Sequence, residues 1–229
     1  MGGRERRQGW RKWDSAPAFA LLLVLLFATL MLEGAKAEGA EGIKVPRGYT
    51  LKIIGGVEYL MDSAYLWNPR YRWSGEDSSF AIHAYFPDLA PLGPSNKHIA
   101  DMPGGNQYMY GLLVSRSSIS VAQRFKNSQC GIDPAASPYG LIAATCILPP
   151  SLNDTYAIVN NRILIAFVRC SRLPMSSPGC DLLFDHLAND VIAHFPKRLL
   201  SDAAGVHREI VHLLDGFVHA AHEARDQAR

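Results

Sequence analysis

Four cysteines, and the stretch that precedes them, constrain this chain more than anything else in it. Cys130, Cys146, Cys170 and Cys180 all lie downstream of an uncharged apolar run from Ala16 to Leu32. The first thirteen residues carry Arg4, Arg6, Arg7, Arg11 and Lys12 against one acid, Glu5; after the run come Glu33, Gly34 and the triplet Ala35-Lys36-Ala37. A cationic flank, an apolar core and a small-x-small site are the three parts of a secretory signal peptide. The run is shorter than the roughly 20 apolar residues that cross a bilayer. The pattern predicts cleavage after Ala37, with retention as a single N-terminal membrane anchor as the alternative. Either way the cationic flank stays inside and the rest of the chain is exported. The expected organisation is a leader or anchor over 1–37, a Gly-rich spacer over 38–48, and one exported domain over 49–229.

An even number of cysteines in an exported chain reads as disulfides. Four allow three connectivities, and nearest-neighbour pairing is preferred. The loop "SRLPMSSPG" between Cys170 and Cys180 is rich in Pro and Ser and closes easily. A Cys130–Cys146 bridge would clip a short loop, worth about 3 kcal/mol in the chain-entropy picture. No CxxC occurs, and the spacings match no zinc pattern.

The leader also carries the excess positive charge. Removing 1–37 takes away six basic and three acidic residues and leaves 17 and 18, a formal charge of −1. A near-neutral body lacks the clustered Lys and Arg that displace counterions from nucleic acid. With the leader gone, no other stretch is apolar and long enough to span a bilayer, so contact with a membrane is expected only through the N-terminal segment.

Along the body, "YTLKII" (Tyr49–Ile54) reads as a strand ending at Gly55-Gly56. "SSFAIHAYF" alternates Phe80, Ile82, Ala84 and Phe86 with Ala81, His83 and Tyr85, the period of a half-buried strand. "QYMYGLLVS" and "SISVAQRF" read as two further strands. "TYAIV" and "RILIAFVRC" predict a hairpin about Asn160-Asn161, since Asn tolerates the positive φ of the favoured hairpin turns. Ile163, Ile165 and Phe167 alternate with Leu164, Ala166 and Val168; both faces are apolar, which places this strand centrally. "CDLLFDHLANDVIAHFP" reads as a second hairpin with Asn189-Asp190 as its turn; a helix with Leu183, Leu187 and Val191 as its stripe is the alternative. At the C-terminus, Ile210, Leu213, Leu214, Phe217, Val218 and Ala221 recur at helical spacing behind Ser201, a good N-cap. The polar end "HEARDQAR" is expected to fray. Together these give an α+β fold, a mostly antiparallel sheet packed against a long C-terminal helix.

Two constellations stand out. Tyr65, Trp67, Arg70, Tyr71, Arg72 and Trp73 interleave aromatics with arginine. Packing over a sheet edge is the plain reading, but exposed aromatics beside Arg also make good protein-binding surfaces. On the last helix His212, Asp215, His219 and His222 share one flank. A solvated polar face is the plain reading, and a divalent metal held by His212, His219 and His222 the sharper one. Neither GxSxG, SxxK nor HExxH occurs, no acid pair marks a catalytic site, and no motif calls for a cofactor.

Three segments carry a resemblance. "ILIAFVRCSRLPMSSPGC" is a strand with a Cys-to-Cys loop, "HFPKRLLSDAAGVHREIVHLLDGF" leads from a strand end into a terminal amphipathic helix, and "YFPDLAPLGPSN" is a Pro-rich loop after a strand. Together they resemble small exported proteobacterial envelope proteins of no established activity. A tryptophan expected near the start of the last helix is replaced by Val206-His207. The resemblance implies an envelope or periplasmic location and, for some proteins of this build, neutralisation of a toxin; it supplies no catalytic residue. The expectation is a non-enzymatic binding protein whose partner is another envelope protein, with a metal-dependent enzyme or metal carrier as the alternative.

Overall fold

The computed structural model describes residues 43–66, 68, 70, 72–85, 88–91, 93–94, 96–98, 109–147, 153–172 and 179–229. The expected leader and the first residues of the spacer lie outside them. Among the described residues, no helix is long and apolar enough to cross a membrane.

Among the described residues the strands are β1 (Tyr49–Ile54), β2 (Val57–Asp62), β3 (Gly75–Glu76), β4 (Ser79–Tyr85), β5 (Met109–Arg116), β6 (Cys130–Ile132), β7 (Ile142–Cys146), β8 (Asn153–Asn160), β9 (Ile163–Ser171), β10 (Gly179–His186) and β11 (Asn189–Pro196). Among the described residues, Val121–Asn127 forms α1 and Ala203–Asp226 forms α2. Eight strands form one sheet in the order β4-β5-β11-β10-β9-β8-β7-β6, every pair antiparallel. A small sheet, β2-β1-β3, pairs β1 with β2 antiparallel and with β3 parallel. The α+β arrangement is as the sequence predicts, with β9 inside the large sheet.

Alternation along each strand decides which layer its side chains join. Leu182, Phe184, Val191, Ala193, Phe195 and Val168 pack with Ile54, Tyr59 and Met61 of the small sheet and with Val206, Ile210, Leu214 and Phe217 of α2. Phe167 and Leu183, one residue out of phase, face the other way and pack under Val121 and Phe125 of α1. One face of the large sheet therefore lies under the small sheet and α2, the other under α1.

Four local expectations are corrected. "SISVAQRF" is not a strand. Ser120 caps it through the Gln123 amide at 3.2 Å, and Val121 and Phe125, one helical turn apart, bury against Phe167 and Leu183. The β8–β9 turn is Asn161-Arg162, both at positive φ, because Asn160 already pairs with Ile163. The simple alternation of β9 breaks at a bulge: Ile158 faces Ala166 but Val159 faces Leu164, leaving Ile165 as the extra residue. Ser201 sits inside a 3-10 turn (Lys197–Asp202), so α2 starts one residue later than its sequence signal, with Asp202 as the N-cap residue.

The hairpin reading of "CDLLFDHLANDVIAHFP" holds, with Leu182 opposite Ala193 and Phe184 opposite Val191. Its turn is Leu187-Ala188, and Asn189 belongs to β11. The end of α2 does not fray: it stays helical to Asp226, Ala220, Ala221 and Ala224 pack on Leu51 and Leu60, and Arg225 pairs with the buried carboxylate of Glu58.

Both disulfides follow nearest-neighbour pairing, Cys130–Cys146 and Cys170–Cys180. In each, the two cysteines are direct partners across adjacent strands, β6 with β7 and β9 with β10. They fix strand register within the large sheet rather than tying one layer to another.

Candidate functional site

The described residues of the aromatic–arginine segment lie between β2 and β3 of the small sheet in sequence. Asp62 accepts from the Ala64 amide at 2.8 Å and opens a 3-10 turn (Ser63–Tyr65). The chain returns beside β1, where the Leu51 amide donates to Ser74 Oγ at 3.0 Å and Gly75-Glu76 pair in parallel with Lys52-Ile53. Beneath the return lies Lys52, wholly buried, its Nζ 3.4 Å from Asp77 Oδ2 and 3.7 Å from the centroid of the Trp73 ring. Burial pushes this ammonium below the ordinary lysine range, and Asp77 opposes the shift. One face of Trp73 thus covers a cation while the residue stays 45% exposed.

Arg70 and Arg72 are exposed, Arg72 reaching back to the Leu66 carbonyl at 3.5 Å. Tyr65 turns inward: its hydroxyl donates to the Leu89 carbonyl at 3.1 Å, its ring meets Phe217 edge-on, and burial pushes its phenol pKa up. Trp67 and Tyr71 lie outside the described residues. Of the predicted surface, Arg70, Arg72 and Trp73 are therefore presented to solvent, while Tyr65 is a core clasp. Lys52, which supports Trp73 from below, was missed. Its signal was its place in "YTLKII", in phase with Thr50 and Ile54, on the face of β1 that the small sheet buries.

A second constellation is internal and joins three layers. Asp215 Oδ1 on α2 lies 3.0 Å from His186 Nε2, and His186 Nδ1 lies 3.1 Å from the Tyr59 hydroxyl. Asn189 Nδ2 donates to that hydroxyl and to the Ile54 carbonyl, both at 3.0 Å. A carbonyl only accepts, so Ile54 fixes the orientation of the Asn189 amide. His186 thus bridges the phenol and the carboxylate through its two ring nitrogens. Burial pushes the Tyr59 phenol up, with Asn189 opposing. Tyr59 is 0% exposed, so the chain Asp215–His186–Tyr59–Asn189 fastens α2, the β10–β11 hairpin and the small sheet to one another. Asn189 Oδ1 is buried without a hydrogen-bond partner, and Gly55, at φ +58, leaves room for it: a Cβ there would stand 2.9 Å away.

The histidines of α2 are placed separately. Asp215 is turned to His186, and His219 pairs with Glu223 at 3.2 Å. Among the described residues no three of His, Cys, Asp and Glu come together as a metal site, which includes His212, His219 and His222.

An antiparallel sheet under one long helix, stapled by two cross-strand disulfides, is the class of fold this geometry defines. It aligns with two solved structures. One is the iron-regulated outer membrane lipoprotein FrpD of Neisseria meningitidis, at a TM-score of 0.50 and 12% identity over 80% of this chain and 98% of that one. The other is Smlt3025, an immunity protein of the Stenotrophomonas maltophilia type IV secretion system, at 0.54 and 12% over 78% and 99%. Both are proteobacterial envelope or secretion-system proteins, and the likeness is one of fold. No family model matches the sequence, and no curated protein does.

Proposed function

We propose that this chain is an exported, non-enzymatic binding protein whose partner is another protein of the envelope, engaged through the arginines and tryptophan beside the small sheet. One observation carries the reading. Trp73, Arg70 and Arg72 are offered to solvent on a segment held along β1 by backbone pairing, the Ser74 hydrogen bond and the Lys52–Asp77 pair. Tryptophan and arginine on a pre-ordered surface are the residue types that dominate protein–protein binding energy. The two disulfides suit an oxidising compartment, as the leader does. The fold shared with an immunity protein extends the reading to neutralisation of a toxin.

The test is in-cell crosslinking of the tagged full-length protein, followed by affinity measurement on the captured partner. Trp73→Ala with Arg72→Ala is expected to weaken capture at least tenfold while the fold is kept. Unchanged capture by that variant refutes the surface.

A further inference from the structure

The two disulfides sit in unlike surroundings. Cys170–Cys180 lies within the main core, both cysteines buried. Cys130–Cys146 is half-buried and links β6 to β7. Among the described residues β6 is the last strand of the large sheet, and its Gly131 and Ile132 are open to solvent. Exposed bridges are the readily reduced ones, whereas structural bridges resist reduction.

The outer bridge holds α1. Only Ser128 and Gln129 stand between the end of this helix and Cys130, and Cys130 packs in the cluster of Val121, Phe125, Phe167 and Leu183. A helix as short as α1 does not persist by itself, and a short hairpin at a sheet edge is marginal. The start of α1 has an independent hold, since Asp185 accepts from the Val121 amide at 2.7 Å and from Arg124 at 2.9 Å. Its end is held by the Phe125 ring, edge-on to Phe167 at 5.5 Å between centroids, and by the bridge.

We propose that Cys130–Cys146 is a redox switch. Reduced by a dithiol protein of the envelope, it frees β6 and the last turn of α1 and uncovers Phe167, while Cys170–Cys180 keeps β9 and β10 in register. All four cysteines are bridged, so the attacking thiolate comes from outside the chain. Cys130 is the sulfur packed against α1, so the thiolate attacks Cys146 Sγ. The S–S bond breaks, a mixed disulfide forms at Cys146, and Cys130 leaves as a thiolate. The donor's second thiolate then displaces Cys146. Two electrons and the donor's two thiol protons pass to the cysteines, and the donor departs as its own disulfide. The switch uses neither Trp73 nor a binding partner and goes beyond the binding reading.

The test uses the full-length protein. Dithiothreitol is titrated in, free thiols are alkylated, and hydrogen exchange is followed on the partly reduced form. The expected product is labelled at Cys130 and Cys146 alone. Exchange across Phe125–Ile132 should rise about tenfold or more, with β9 and β10 still protected, and reoxidation should restore it. The double variant Cys130→Ala, Cys146→Ala should show the same pattern without reductant. Cells quenched in acid and alkylated should contain a population labelled at Cys130 and Cys146 alone. Equal labelling of Cys170 and Cys180, unchanged exchange at Phe125–Ile132, loss of protection across the whole sheet in the reduced protein or the variant, or absence of the labelled population from cells overturns the switch. None of these outcomes bears on capture through Trp73, so the two proposals fail separately.

Discussion

Removing each disulfide in turn should have unequal consequences, although loop closure alone makes the two nearly equivalent. Cys130–Cys146 closes a separation of 16 residues and Cys170–Cys180 one of 10, and each bridge constrains the unfolded chain by about 3 kcal/mol. Burial separates them. Cys170 and Cys180 are 0% and 1% exposed within the main core, whereas Cys130 and Cys146 are half-buried at the sheet's end. Replacing the inner pair by alanine leaves two sulfur-sized voids, each costing about 1 kcal/mol. The inner double variant should therefore lose about 5 kcal/mol and the outer one about 3, against a typical total of about 5–15. A gap of about 2 kcal/mol corresponds to about 4–8 °C in Tm for a domain of this size. The assay is urea unfolding of both double variants without reductant, followed by circular dichroism and linear extrapolation. A parallel reductant titration with thiol alkylation should label Cys130 and Cys146 first. Equal losses, or a larger loss from the outer pair, would show that packing around the inner sulfurs contributes nothing and refute the reasoning.

Three further predictions follow from single contacts. Gly55→Ala should destabilise more than Gly56→Ala: both force a non-glycine residue to positive φ, at about 1–2 kcal/mol, but only at Gly55 does the new Cβ meet Asn189 Oδ1; urea melts of the two variants isolate the difference. Arg225→Ala leaves the buried Glu58 carboxylate without its cation and should cost about 1–3 kcal/mol; a second change, Glu58→Gln, should recover part of that loss, and no recovery would refute the pairing. Burial holds His207, packed edge-on against Phe184, below its ordinary value of 6.5, with Arg208 adding to the shift. The unfolded chain then binds the proton more readily, so stability is present above 6.5 and lost as pH falls toward the folded pKa. His83, lowered by burial, acts in the same direction, and His194, raised by its Asp181 hydrogen bond, acts in the opposite one. His207→Phe should flatten the acid side of a Tm-against-pH profile, and an unchanged slope would exclude His207 as a source.

The sheet was legible where a strand has one face to hide. "YTLKII" gave β1 as a short run ending at Gly55-Gly56 and is buried on both faces, whereas the alternation from Ser79 to Tyr85 gave β4 because burial on one side imposes a period of two. The β10–β11 hairpin was legible for the same reason, but its turn was not. Asn189 suits a turn by itself, yet pairing Phe184 with Val191 sets the register, and Ile54 and Tyr59 hold Asn189 inside β11. The turn then falls on Leu187, the residue least suited to it. Helix α1 was missed because seven residues carry too little periodicity, and the Asp185 carboxylate that secures its first amide comes from a strand 64 residues away in sequence. Of the site, Arg70, Arg72 and Trp73 were legible as residue types. Lys52 was hidden because an ammonium amid apolar strand residues reads as solvent-facing until Trp73 and Asp77 are seen to enclose it.

The placement of the sulfur bridges has a mechanical corollary. Each joins neighbours within the large sheet, so neither the small sheet nor α2 is covalently fastened to it, and these are the layers nearest the two chain ends. Tension applied through the termini would therefore peel β1, β2 and α2 away before it loaded a covalent link. The bridged stretches, 16 and 10 residues long, would withhold about 90 Å of the extended contour until a reductant released them.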